Sequence, residues 1–414
     1  MSVTLSSGLR YRFRVYPAVR GPATARRHRL DRKQRKSDPV RDHFVESSTI
    51  ESTTSFGRFF LPGPTEVHPE VLSAQNRALI GHRGPAIREL IGELQTGLRD
   101  LFRTESPVLI STSSATGLME AAVRNGARSR VLSLVNGAFS QRFGQIAEAC
   151  GFVVETLEVE WGQTFTADQV REKLASGRFD AVTVVHSETS TGALNPISQI
   201  AEAVREQDDL VLLVDSVTGV GGVEVRTDEW ALDFVLTGSQ KALALPPGLA
   251  FGVASERLMV RSAEATRKGV YFDLVSFRKQ LANLQTPTTP AISLFYALAK
   301  QLDRIRLEGL EARWDRHQAM ADRCVQWVDM MREQRGVALS VLAPEGSRSP
   351  TVTCVELPEG TKGPSVVSAM KERGFTIGGG YGKLKEQTFR VGHMGDHTVA
   401  ELDAVLDALG EVLS

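Results

Sequence analysis

The chain has 414 residues, enough for about two domains, and its hydrophobic fraction of 42% and charged fraction of 24% are typical of globular proteins that fold in water. Because 49 basic side chains balance 49 acidic ones, no overall charge favours nucleic acid or an anionic membrane as a partner. No stretch has the roughly 18 consecutive apolar residues of a membrane span. The three cysteines show no paired spacing, which argues against a disulfide framework and a zinc cluster and predicts a reducing, cytoplasmic location.

Residues 1–56 differ in composition from the rest of the chain. Between residues 10 and 41, many arginines and lysines face only Asp31 and Asp38, and no helix or strand period is sustained. Such a segment buries too little apolar surface to offset its ordering entropy, so we expect it to be mostly disordered. We favour a solvated tail or an over-extended start of the reading frame. A transit peptide and a basic arm for an acidic partner are the alternatives.

The next part of the chain contains loops, helices and strands in a regular order. Two loops rich in proline and glycine, 60–69 and 81–85, precede an amphipathic helical pattern at residues 87–102. Beyond Pro107, β-rich runs alternate with helical patterns: 108–110, 130–135, 152–157, 181–186, 210–214 and 234–236 for the strands, and 117–125, 139–150, 167–175 and 196–207 for the helices. This alternation predicts an α/β fold with a mainly parallel sheet covered on both faces.

The chain beyond Pro290 predicts a smaller α+β domain. Helical patterns cover 292–335, and short strand-like runs and two further helices extend to residue 413. We therefore expect a large domain over residues 57–308 and a small domain over residues 309–414. Because active sites of parallel α/β sheets lie beyond the carboxyl ends of the strands, the residues that follow each strand are the candidates for chemistry.

Polar residues follow several of these strands. Hydroxyl side chains at 111–116 lead into a helix, where free N–H groups suit a phosphate. Phe139 follows one strand, Asp215 ends a wholly apolar one, and Lys241 lies between a polar turn and an apolar segment. Loss of solvation would lower the pKa of such an amine and make a nucleophilic form accessible. Taken singly, each has a structural explanation: a helix cap, a core aromatic, a turn cap and a strand-end lysine. Together they match the needs of a phosphorylated pyridine aldehyde.

Two other motifs do not predict a site. Residues 218–224 are rich in glycine but lack the third glycine of a dinucleotide fingerprint and do not open a first βα unit. His393 and His397 are four residues apart, but Gly395 between them favours a turn and no further ligand is evident, so we expect no metal site.

Several motifs in this order resemble the class V aminotransferases of fold type I, especially the branch of alanine:glyoxylate and serine:pyruvate or serine:glyoxylate aminotransferases. The resemblance covers residues 60–409. The motifs are Leu-Pro-Gly-Pro-Thr (61–65), Gly-His-Arg-Gly-Pro (81–85), His-Ser-Glu-Thr-Ser-Thr-Gly (186–192), Val-Asp-Ser-Val (214–217), Gly-Ser-Gln-Lys-Ala-Leu (238–243), Pro-Pro-Gly (246–248) and Phe-Arg-Val-Gly-His-Met-Gly (389–395).

The resemblance implies pyridoxal 5'-phosphate as cofactor and a role for each matching residue. Lys241 would hold the cofactor through a Schiff base and move the substrate proton, and Asp215 would keep the pyridine nitrogen protonated. Arg390 would bind the substrate α-carboxylate bidentately. The remaining cofactor contacts would come from Ser114, Ala115, Thr116, Phe139, Thr189, Val217, Gln240 and, across a homodimer interface, Thr288. Phe139 stands where a tryptophan is common in the closest relatives, and Gln285 where some members have a tyrosine.

The implied activity is transfer of an amino group from a small amino acid, with alanine or serine favoured, to a small 2-oxo acid such as glyoxylate or pyruvate. Two alternatives stay open at this point: a lyase such as a cysteine desulfurase, and a non-catalytic protein with a vestigial cofactor site. The sequence does not select the donor. A side-chain pocket would involve Pro64, Thr65 and the loop around Arg83, and a dicarboxylate donor would need a second cation, for which Arg83 or Arg278 could serve.

Overall fold

The structure of the chain is a computed structural model that describes residues 56–414. The predictions for residues 1–56 therefore lie outside the described residues, apart from Phe56. Its ring contacts the imidazoles of His68 and His397, with centroid distances of 5.4 and 5.7 Å. No helix within residues 56–414 is long and apolar enough to cross a membrane. The cytoplasmic location stays a prediction.

Fourteen strands occur in the described residues. In chain order they are β1 Phe59–Phe60, β2 Leu109–Ser111, β3 Arg130–Val135, β4 Val153–Glu158, β5 Ala181–Val185, β6 Ser187–Glu188, β7 Ala193–Leu194, β8 Val211–Asp215, β9 Phe234–Gly238, β10 Ala250–Ala254, β11 Ser340–Val341, β12 Val352–Glu356, β13 Thr376–Gly379 and β14 Thr388–Gly392.

Twelve α-helices and one short 3-10 helix, at Gly382–Leu384, connect these strands within residues 56–414. The α-helices are α1 Pro69–Ala74, α2 Pro85–Phe102, α3 Ala115–Gly126, α4 Ala138–Ala149, α5 Ala167–Ala175, α6 Ile197–Arg205, α7 Glu256–Glu264, α8 Leu274–Leu281, α9 Ile292–Glu308, α10 Leu310–Arg335, α11 Gly363–Glu372 and α12 Val399–Leu413.

Seven strands form the large sheet, in the order β2-β10-β9-β8-β5-β3-β4. From β9 to β4 all neighbours are parallel, and β10 runs antiparallel to both β2 and β9. The central strands β5 and β8 are buried along their whole length and rich in valine and leucine, as expected for strands covered on both faces. The prediction of a mainly parallel sheet is confirmed.

The second sheet has five strands in the order β1-β13-β14-β12-β11. Its hydrophobic core includes Trp327 of α10, Phe389 of β14 and Phe60 of β1. The two-residue strand β1 thus belongs to the C-terminal sheet, although it lies near the start of the segment predicted as the large domain. The domain boundaries at residues 57–308 and 309–414 stay predictions.

The sequence did not predict β10, α7 or α8. In β10, Ala-Phe-Gly-Val-Ala has few of the β-branched residues that mark a strand, and its pairing with β9 depends on contacts across the turn that contains Lys241. The helical pattern 292–335 is two helices, because the chain at Gly309 has a φ of 86°, which ends α9 and starts α10.

Candidate active site

A cavity of about 350 Å3 lies where the ends of β5 and β8, the turn after β9 and the first turns of α3 and α4 meet. Its volume is in the range of small-molecule sites. Asp215 and Lys241 both line it. The topology explains why: the carboxyl ends of neighbouring parallel strands open at one edge of the sheet, and the residues that follow them meet there.

Asp215 is the last residue of β8 and is buried. Burial raises the pKa of its carboxyl to about 7, and the nearby Glu188 acts in the same direction. The backbone N–H of Val217 donates to Oδ1 over 2.9 Å, which lowers the pKa but does not offset burial. A partner cation in the cavity would stabilise the ionised form.

Lys241 extends into the cavity from the turn after β9. Its Nζ donates to the carbonyl oxygen of Pro62 over 2.6 Å and lies 5.9 Å from the centroid of the Phe139 ring. Burial lowers the pKa of the amine to about 8; the charges of Arg390 and Arg142 add to this effect, and Asp215 opposes it. A neutral amine is therefore accessible near physiological pH.

The loop before Pro64 fits closely against this lysine. Gly63 has a φ of 112°, a left-handed conformation that glycine adopts without strain. A Cβ at this position would lie 2.3 Å from the Nζ of Lys241. A side chain at this position would strain the backbone and displace the lysine.

The amino end of α3 contributes backbone donors to the cavity. Ser114, Ala115 and Thr116 line it, and Ser114 makes no side-chain capping bond to the first turn. The first N–H groups of a helix have no intrahelical acceptor and bind anions well. Gln240 lines the same cavity, and its buried Oε1 has no hydrogen-bond partner within the described chain.

Phe139 belongs to the first turn of α4, which the buried carboxylate of Glu188 caps. Glu188 accepts from the backbone N–H groups of Phe139 and Ser140, from the hydroxyl of Ser140, and from both the N–H and the hydroxyl of Ser190, over 2.6 to 3.3 Å. Gly137 permits this approach, because a Cβ there would lie 2.4 Å from the Cγ of Glu188. The carboxylate thus fixes the backbone that carries the Phe139 ring.

Arg390 on β14 adjoins the cavity from the second sheet but does not line it. Its Nε donates to Gly379 O over 2.8 Å and its Nη1 to Thr189 O over 3.0 Å. Its Cζ lies 5.5 Å from the centroid of the Tyr381 ring. Burial lowers the pKa of the guanidinium. These backbone carbonyls orient the side chain without neutralising it.

The family model of the class-V aminotransferases matches residues 64–389 of the chain. The chain belongs to the class V aminotransferases. The matched range includes Asp215 and Lys241 and ends one residue before Arg390. Members of this family generally use pyridoxal phosphate.

Relatives of this class V aminotransferase carry different names. It is 36% identical over 360 residues to a protein of Synechococcus sp. (strain PCC 6716) named soluble hydrogenase, small subunit, covering 86% of this chain and 92% of that protein. It is 32% identical to the L-aspartate–glyoxylate aminotransferase of Paracoccus denitrificans, covering 84% and 88%. Among solved structures it is similar to an alanine–glyoxylate aminotransferase from Nostoc sp., with a TM-score of 0.81 and 33% identity over 86% of this chain and 95% of that one.

Nearly all the residues predicted to contact the cofactor lie together in the aminotransferase structure. The cavity lining includes Ser114, Ala115, Thr116, Phe139, Thr189, Asp215, Val217, Gln240 and Lys241. Thr288 is exposed and does not line it. Since Thr288 was expected to reach the site of a second subunit, its role stays a prediction.

The two arginines suggested as a second cation do not line the cavity. Arg278 pairs with Glu256, and both side chains are substantially exposed. Arg83 is exposed and donates to Gln285 Oε1 over 3.1 Å and to Thr286 O over 2.8 Å. Of the predicted side-chain pocket, only Pro64 lines the cavity, and the hydroxyl of buried Thr65 donates to Met394 O instead.

Sequence reasoning missed Arg142, Glu188 and Tyr381. Arg142 lines the cavity, and its Nη2 donates to the phenolic oxygen of Tyr381 over 2.8 Å. Tyr381 stacks on Phe139 with a centroid distance of 5.3 Å. A signal was present for Arg142, because it follows Phe139 by three residues in a predicted helix and therefore shares its face. Tyr381 lies in a loop whose position depends on the second sheet.

Proposed function

We propose that this aminotransferase uses pyridoxal phosphate to move an amino group from a small amino acid, with alanine or serine as first candidates, to glyoxylate or pyruvate. The observation that supports it most is that a buried carboxyl, Asp215, and a half-buried amine, Lys241, line one cavity of small-molecule size. Glyoxylate is supported by the names of the relatives from Paracoccus and Nostoc.

The donors around the cavity suit this cofactor. The backbone N–H groups at the start of α3, with the side chains of Ser114, Thr116 and Gln240, would hold the phosphate. Gln240 would donate to the phosphate through its amide Nε2, because its Oε1 can only accept. Phe139 would cover one face of the ring, and Thr189 and Val217 would contact its edge.

When bound, pyridoxal phosphate supplies a ring that takes up the electrons left when the Cα proton of an amino acid departs. Asp215 would hold a proton on the ring nitrogen, since a buried carboxylate is stabilised by a cation beside it. Lys241 would take the Cα proton and return it to the C4′ carbon of the cofactor, which requires an amine that is neutral at the working pH. The lowered pKa of about 8 gives a substantial neutral fraction there.

Arg390 would bind the α-carboxylate of the substrate. Its Nε and Nη1 are held by two backbone carbonyls, and its Nη2 has no partner among the hydrogen bonds of the described residues. A guanidinium suits a planar carboxylate better than an ammonium does, because its donors form a rigid fork. Arg390 would therefore orient the substrate relative to Lys241.

The desulfurase alternative has no structural support. All three cysteines lie within the described residues, and none lines the cavity. Burial raises the pKa of Cys354 to about 11 and of Cys324 to about 12, and it also raises the pKa of the half-buried Cys150. A thiol with a raised pKa is a weak nucleophile near neutral pH.

We also propose a homodimer whose partner supplies Thr288 to the cofactor site. Thr288 lies in the loop between α8 and α9 and is exposed on the single chain. Its side chain is therefore accessible to a second subunit. Cross-linking and sedimentation of the Thr288→Ala variant would show whether the dimer is kept. Its visible absorbance with pyridoxal phosphate would show whether cofactor affinity is lost.

Half-reactions test the proposed activity directly. Purified protein incubated with pyridoxal phosphate is expected to absorb in the visible region, to lose that absorbance with alanine or serine, and to regain it with glyoxylate or pyruvate. A chain that binds the cofactor but shows no spectral change with any amino acid would be the non-catalytic alternative. Release of sulfide from cysteine, abolished by one Cys→Ala change, would restore the lyase alternative.

A further inference from the structure

Arg142 lines two neighbouring cavities. One is the cavity of about 350 Å3 that contains Asp215 and Lys241. The other, of about 430 Å3, also includes Tyr381, Trp161 and Lys383 in its lining. Within residues 56–414, Arg142 is the one residue that lines both cavities, and its side chain carries a positive charge. A ligand that extends from the first cavity toward the second passes this guanidinium.

The charge of Arg142 has no acidic partner. No carboxylate of residues 56–414 forms an ion pair with it, and its hydrogen bond goes to the phenolic oxygen of Tyr381. Glu188 of β6 is already bonded to donors from Phe139, Ser140 and Ser190. The charge of Arg142 opposes the raised pKa of Asp215, but the two side chains form no ion pair. A half-buried guanidinium without a counter-ion is poised to bind an anion.

Arg142 and Arg390 both contact one tyrosine, Tyr381. The Cζ of Arg390 is 5.5 Å from the centroid of the Tyr381 ring, and the Nη2 of Arg142 is 2.8 Å from its phenolic oxygen. Both arginines also lower the pKa of Lys241, which places their charges near the same amine. Tyr381 therefore contacts both cations, and a dicarboxylate bound to one of them lies beside the same tyrosine as the other.

We propose that Arg142 is a specificity-determining residue that binds the distal carboxylate of a dicarboxylic amino donor, of the aspartate or glutamate type, while Arg390 binds its α-carboxylate. This inference rests on the proposed transaminase function and extends its donor range beyond alanine and serine. Arg142 has the role for which the sequence suggested Arg83 or Arg278, and neither of those lines either cavity.

The test compares donors in the holoenzyme with glyoxylate as acceptor. In the parent, we expect kcat/KM for aspartate or glutamate to exceed that for alanine by about 10-fold or more. Arg142→Met should lower kcat/KM for the dicarboxylic donor by about 30-fold or more and lower that for alanine by a clearly smaller factor. Arg142→Lys should restore part of the loss, because it keeps the charge but not the fork. Arg278→Met is the matched control and should leave the ratio of the two donors unchanged.

A second measurement needs no variant. Succinate, which has two carboxylates and no amino group, should inhibit alanine turnover by the parent at least about 10-fold more strongly than butyrate, which has one. Stronger inhibition by succinate supports the proposal even where Arg142→Met fails to fold, and equal inhibition overturns it.

The outcomes separate this inference from the proposed function. A parent that converts alanine but neither aspartate nor glutamate overturns the inference and leaves the transaminase function intact. Equal losses for all donors in Arg142→Met show that Arg142 only supports Tyr381 and Phe139, and they overturn it too. A shift of the donor ratio by Arg278→Met would return the role to Arg278. Failure with every donor overturns the proposed function itself.

Discussion

Replacing Asp215 by Asn should stabilise the chain without cofactor and weaken the holoenzyme as a catalyst. The carboxyl has an ordinary pKa of 3.8 and a pKa of about 7 in the folded chain, where burial disfavours its charge. A raised carboxyl pKa means that the folded state binds the proton more tightly than the unfolded state. The folded state therefore loses stability as the pH rises from about 4 to 7, and the loss is complete above pH 7.

The size of the effect follows from the two pKa values. At pH 8 the ionised carboxyl destabilises the folded chain by about 4 kcal/mol, because each pH unit between pKa 3.8 and 7 contributes about 1.4 kcal/mol. At pH 4 the same group costs less than about 1 kcal/mol. Asn stays neutral at both pH values, and its side-chain oxygen can still accept from the N–H of Val217. The variant should thus be more stable than the parent at pH 8 and nearly equal at pH 4.

Urea unfolding of the cofactor-free proteins at pH 4, 6 and 8 measures this difference. Asp407→Asn is a suitable control, because Asp407 lies exposed on α12. With pyridoxal phosphate and amino acid, Asp215→Asn should instead lower kcat by roughly 100-fold or more, the cost of removing one member of a buried charge pair. A variant that is less stable than the parent at pH 8, or whose advantage does not grow with pH, would refute this account of Asp215.

Three further variants and one pH profile test the lysine and the residues around the cavity. Lys241→Ala should reduce turnover by about 1,000-fold or more in the half-reaction, and turnover at the parent rate would show that the lysine assignment is wrong. In the parent, turnover limited by Lys241 should rise with pH through about 8 as the amine loses its proton, and a profile that falls over this range would contradict that role. Gly63→Ala should lower cofactor occupancy, measured by visible absorbance, because the new Cβ would meet Nζ at 2.3 Å; unchanged occupancy would show that the loop can shift. Glu188→Ala should destabilise the folded chain by about 3–5 kcal/mol in urea unfolding, since it leaves buried donors of Phe139, Ser140 and Ser190 without an acceptor. A decrease in unfolding free energy below about 1 kcal/mol would mean that water replaces the carboxylate.

The residues that sequence reasoning found are those whose position follows from local pattern. Asp215 ends a wholly apolar strand, and Lys241 follows another by a short polar turn, so the rule that parallel strands open at one edge predicts that they meet. The start of α3 was also predicted from local pattern, because hydroxyl residues between a strand and a helix indicate a helix amino end. The parallel part of the sheet and the location of its functional edge could thus be predicted.

The residues that were missed depend on contacts between distant parts of the chain. Tyr381 reaches the site because the second sheet carries its loop toward α4, and no periodicity in the sequence encodes that approach. The donors that surround Glu188 come from two separate segments, so its capping role becomes visible only after folding. Arg83 and Arg278 were suggested for their charge alone, and the structure directs both to other partners.

The strand β1 connects the second sheet mechanically to the reactive amine. Phe60 pairs with Ile377 in that sheet, and Pro62, two residues later, accepts the hydrogen bond from Lys241. Two residues of extended chain span at most about 7 Å. A displacement of the C-terminal sheet by more than a few ångströms would therefore pull the Pro62 carbonyl from the ammonium group. This short tether makes the lysine's hydrogen bonding sensitive to the angle between the two sheets.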